Sequence, residues 1–241
     1  PDGYIWGRDF LSRDAVTADG RRQLVWDRQW FSFNLWGRLS YDPSLPDSHF
    51  QRLLGTRHPS VSAEKLYAAS QSSSRIIPQV TRFNWGGIDL HWYPEANLSH
   101  PKQYKGFYTV RHFMEGISMP GADVLCIRDW RIRLLGRKPM VETTPLEIAA
   151  ALDGAATETF TALDALRDAA KQDAELQKNV NDCEALAWLG RYYAAKIRGA
   201  CALALFDVRG DKSEQAASLR HLGEALAHWK KYAAVRDAHY L

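Results

Sequence analysis

The sequence has no apolar run of about 18 residues, so it encodes no transmembrane helix. Three cysteines, Cys126, Cys183 and Cys201, are too few for a disulfide framework and match no close-spaced zinc pattern. No long Lys/Arg block occurs and the net charge is only +3, which argues against a nucleic-acid partner. H-E-x-x-H, G-x-S-x-G, the P-loop and G-x-G-x-x-G are all missing, which disfavours a zincin site, a serine nucleophile and nucleotide cofactors. No charged segment with an apolar core precedes the first motif, so no signal peptide is read. The chain opens on Pro1 without an initiator Met and runs directly into Asp2–Phe10, a turn followed by a strand. The expectation is a fragment or a processed chain.

What is present divides near residue 140. Residues 1–140 hold 7 of the 9 Trp, 9 of the 10 Pro and only 7 Ala; residues 141–241 hold 24 Ala, 2 Trp and 1 Pro. Charge follows the same division, +6 against −3. The second part is an α-helical bundle by composition. Thr144-Pro145-Leu146-Glu147 is a capping box with Pro at the first helical position. Apolar residues then recur at Ala149, Leu152, Ala156, Leu163, Leu166 and Ala170. A second helix is expected from about Asp182 to Val208, ended by a left-handed Gly210. A third starts at Asp211-Lys212-Ser213-Glu214. Leu163, Leu189, Tyr193, Leu222, Leu226 and Trp229 are expected to be buried together. Lys196 is expected to snorkel outward from a packed helix.

The first part is less regular. Trp26, Trp30, Phe33 and Trp36 have helical spacing, and the helix is expected to end near Gly37. A turn at Asp42–Asp47 leads into a short helix closed by Gly55. Ser62 caps another across Ala63 to about Ser74. Residues 75–140 read as loop with short helices, punctuated by Gly86-Gly87, Pro94, Pro101, Pro120-Gly121 and Pro139.

The densest chemistry lies in Arg82–Glu95. Trp85, Asp89, His91, Trp92 and Glu95 combine aromatic faces that stack on sugar C–H faces with carboxylates that accept from hydroxyls. The competing reading is a loop anchored by buried aromatics. Asp89 and Glu95 also fit a general acid/base pair of the kind glycosidases use, although sequence cannot give their separation. Asp89, His91 and His112 carry no metal spacing, and no metal or cofactor is expected. Trp6, Arg8 and Asp9 follow the first strand, where a guanidinium can hold a carboxylate through two bonds or pair with Asp9 or Asp14.

Trp30–Leu45 resembles the phrase aromatic-x-x-x-x-(W/F)-G-R-L-x-(W/Y)-(D/N)-P-x-L of the α-glucuronidases that trim glucuronic acid from xylan. The resemblance covers about residues 3–55. It implies that Gly3–Phe10 is the last strand of a barrel and that the phrase lies on the helix after it. The fold implied is mainly α: the last βα unit of a (β/α)8-type barrel (1–43), an irregular helical region with aromatic loops (44–140) and a bundle (141–241). In that family the catalytic carboxyls sit on earlier strands, outside this chain, so no residue here inherits a catalytic role. Substrate contacts are implied near Trp6, Arg8 and Asp9. The function expected is the C-terminal portion of a polysaccharide-acting glycoside hydrolase, completing the barrel and contributing to its cleft, inactive by itself. The alternative is a non-catalytic carbohydrate-binding or helical interaction module. The partner expected is a glycan, with uronic-acid-bearing chains and a homodimer through the helical domain as further options, and with a periplasmic or secreted location left open.

Overall fold

The computed structural model describes residues 29–85 and 109–240. The helices are α1 (Trp30–Tyr41), α2 (Asp47–Arg57), α3 (Ala63–Ser74), α4 (Ile76–Phe83), α5 (Val110–Glu115), α6 (Ile127–Leu135), α7 (Pro145–Asp164), α8 (Arg167–Ala170), α9 (Ala174–Arg209) and α10 (Lys212–Tyr240). Among the described residues, β structure is confined to two isolated bridges. The described residues are mainly α, as expected; the strand expected at Gly3–Phe10 lies outside them.

Local chemistry accounts for the helix ends. Thr144 Oγ1 accepts from the Glu147 amide at 3.3 Å while Glu147 accepts from the Thr144 amide at 2.8 Å, closing the capping box. Ser62 Oγ accepts from Lys65 N at 3.3 Å and starts α3. Gly210 ends α9 with φ 66°, a conformation that costs a Cβ-bearing residue about 1 kcal/mol or more. Other boundaries differ from expectation. α1 runs past Gly37 to Tyr41, and α2 runs past Gly55 to Arg57. Gly55 serves a close crossing instead: a Cβ there would lie 3.2 Å from that of Ala63. α9 begins two turns before Asp182, because Asp173 Oδ1 accepts from the amides of Glu175 and Leu176, both at 3.0 Å.

Two apolar cores form around α7 and α9. The larger takes Ile76, Val80 and Phe83 of α4, Phe113 of α5, Trp130 of α6, Ile148 and Leu152 of α7, and Leu189, Tyr193 and Ile197 of α9. The smaller joins Leu54, Leu66, Leu163, Leu166, Leu176 and Val180. Leu163 and Leu189 are therefore buried in different cores, contrary to the single cluster expected. Leu226 is 55% exposed, and Trp229 and Leu222 are half-buried. The spacing on α10 defines two apolar flanks, and α9 covers only the one carrying Ser218, Ala225 and Trp229. The α9–α10 crossing is tight: Ser218 Oγ donates to the Gly199 carbonyl at 2.9 Å, and a Cβ on Gly199 would meet Leu222 at 2.9 Å.

Lys196 does not snorkel. It is 5% exposed, with Nζ 3.0 Å from Tyr192 Oη and 4.8 Å from the centre of the Phe113 ring. Burial pulls its pKa down to about 8. The neighbouring cations are paired: Arg191 and Arg198 hold the two oxygens of Asp153 at 2.8 and 2.6 Å.

Candidate functional site

Of the residues that the sequence singles out for glycan contact, Trp85 is described. Trp6, Arg8, Asp9, Asp89, His91, Trp92 and Glu95 lie outside the described residues, as does the side chain of His112.

Trp85 is half-buried and fixed by its backbone. Its amide donates to the Ile117 carbonyl at 2.8 Å, and the Met119 amide donates to the Arg82 carbonyl at 2.9 Å. These bonds clamp the end of α4 to the segment after α5. Arg82 reinforces the clamp by donating to the Ala122 carbonyl at 2.8 Å. Beneath it, Phe83 meets Phe113 with ring centres 5.5 Å apart.

One residue past the partner of Trp85 begins a shallow concavity of about 270 Å³. Ser118, Gly121, Asp123, Cys126, Asp129 and Glu142 line it. Its shape comes from a turn at Pro120-Gly121, with φ 74° at Gly121 and 51° at Asp123. A parallel bridge between Val124 and Thr143 then brings Glu142 alongside; Leu125 N donates to the Thr143 carbonyl and Thr143 N to that of Asp123, each at 2.9 Å.

The three carboxylates here differ. Glu142 takes two bonds from Arg133, one of them 2.7 Å long, and these hold its carboxyl below the usual range. Asp129 accepts from Arg128 Nε at 3.1 Å. Asp123 is exposed and makes no side-chain bond among the described residues. Ser118 Oγ is buried and has no hydrogen-bond partner among the described residues. Burial pushes the Cys126 thiol up. Such a lining can accept hydrogen bonds from neutral hydroxyls and repels an anion. No group of three or more His, Cys, Asp or Glu among the described residues could hold a metal ion, and no described helix is long and apolar enough to cross a membrane. Sequence reading missed Ser118, Asp123, Asp129 and Glu142; only the Pro120-Gly121 turn signalled the place.

No family model and no curated protein matches the chain. A solved structure does. It is that of a GH138 enzyme targeting pectin rhamnogalacturonan II, with a TM-score of 0.70 at 18% sequence identity. The match covers 94% of this chain and 33% of that one, so the chain spans about a third of the neighbour's length. The likeness shows that the chain shares the fold of the corresponding third of that enzyme, and it does not single out the α-glucuronidases.

Proposed function

We propose that the chain is the C-terminal portion of a polysaccharide-acting glycoside hydrolase, with residues 1–43 as the last βα unit of its barrel. The observation that carries this reading is the surface of α1. This 12-residue helix is rich in aromatics and has no buried residue. Trp36 is 74% exposed and Tyr41 94%, and Phe33 and Leu39 are exposed beside them. Monomers rarely leave such contiguous apolar surface wet, and it is what a helix lying on a barrel would present. The GH138 likeness supports a pectic polysaccharide as substrate, and the uronic-acid-bearing option stays within that class. Trp6, Arg8 and Asp9 would sit at the strand end and face the cleft. Trp85, Asp89, His91, Trp92 and Glu95 would extend it, with Arg8 as the partner of a uronic carboxylate. Hydrolysis in the complete enzyme would use two carboxyls from the rest of the barrel.

The test is chromatography of sugars released from rhamnogalacturonan-II and glucuronoxylan oligosaccharides. Two proteins are compared: this 241-residue chain and the product of the complete reading frame that contains it. Release by the longer product alone is expected. Release by neither protein overturns the glycan reading. Release by this chain alone overturns the barrel-completing role.

A further inference from the structure

We propose that a second copy of this chain docks on the outer flank of α10, forming an antiparallel two-fold dimer. α10 carries two seams with the alternating three- and four-residue spacing of packed helices. Ser218, Leu222, Ala225, Trp229 and Tyr232 form the seam turned to α9. Ala216, Leu219, Gly223, Leu226 and Lys230 form the other, and each of these five residues is exposed. Leu219 is 67% exposed and Leu226 55%, about 10 Å apart at 1.5 Å per residue. Between them, the position of a Cβ on Gly223 has nothing within 4 Å.

The order of residues selects the occupant. The seam is nearly palindromic about Gly223, with a leucine on each side and Ala216 and Lys230 at its ends. A two-fold axis through Gly223 sets Leu219 of one copy on the partner's Leu226, and does so twice. The two glycines meet at the axis and let the backbones approach closely. The Lys230 stem then lies over the partner's Ala216. A parallel pair would instead stack Lys230 on the partner's Lys230, and like charges facing each other are destabilising. Self-complementary surfaces of this kind define the commonest oligomers. The dimer goes beyond the proposed function and does not depend on it.

Light scattering after size exclusion tests this on the 241-residue chain. The wild type should run at the mass of two chains. Leu219→Glu/Leu226→Glu should run at the mass of one, with unchanged helical circular dichroism, since both leucines are exposed. Gly223→Cys should form a covalent dimer on oxidation; the three native cysteines are buried and do not compete. A monomeric wild type, or a double variant that still dimerises, overturns the proposal. So does a Gly223→Cys protein that stays uncrosslinked while dimeric.

Discussion

Replacing Lys196 with Met should stabilise the protein at neutral pH. The amine sits between the Phe113 and Tyr192 rings with Tyr192 Oη at 3.0 Å, and no carboxylate among the described residues pairs with it. Its pKa falls from 10.5 to about 8 through burial, which makes the charged folded state costlier by roughly 3 kcal/mol. The contacts with the two rings offset about 1–2 kcal/mol of that. Met has similar length and no charge, so Lys196→Met should gain about 1–2 kcal/mol at pH 7. Because the folded value lies below the unfolded one, the unfolded chain binds the extra proton between pH 8 and 10.5. Wild-type stability therefore rises with pH across that window through this group, while the penalty is fully present below pH 8. The variant's advantage should shrink from pH 8 and vanish by about pH 10.5. Tyr192, pushed up to about 12 by burial, titrates in both proteins and to first order cancels in the difference. Urea unfolding followed by circular dichroism at pH 7, 8, 9 and 10 reads this directly. A destabilised variant at pH 7, or a difference that stays constant with pH, would refute the account of an unpaired buried charge.

Leu163→Ala should cost about 2–5 kcal/mol and Leu226→Ala less than about 1, because the first is fully buried and the second is not; chemical denaturation of the two variants in parallel measures the gap. Asp173→Ala should cost about 1–3 kcal/mol, since it uncaps α9 and leaves buried His58 without its bond at 3.0 Å. Thermal unfolding checks this, and the deficit should narrow only as pH falls below 3.8, where the unfolded chain takes up the proton before the folded carboxyl does. Gly199→Ala should cost about 1–3 kcal/mol by overpacking against Leu222, and a variant as stable as wild type would contradict the tight crossing.

Helix starts were legible where a side chain caps its own helix. Ser62, Thr144 and Glu147 act within three residues of themselves, and Gly210 acts on its own backbone. Long-range choices were not legible. Spacing on α10 defines two apolar flanks but does not say which one α9 covers, hence the misplacement of Leu226. Lys196 carries a residue-type preference for solvent, and its contacts with Tyr192 and with Phe113 of another helix override it. Gly55 reads as a helix end, yet it is kept inside α2 by its approach to α3. The concavity beside Trp85 was invisible for a related reason. Ser118, Asp129 and Glu142 are separated by stretches without a motif, and only the pairing of Val124 with Thr143 brings them to one place.

The 36 residues of α9 form a rod of roughly 54 Å. Leu176 and Val180 near one end belong to one core, and Leu189 through Leu205 to the other. Neither core can melt without shortening the rod that anchors its neighbour. The two halves of the molecule should therefore lose structure in one step. The slowest amide exchange should fall in the middle of α9, around Ala187–Ile197, where a break would release both ends at once.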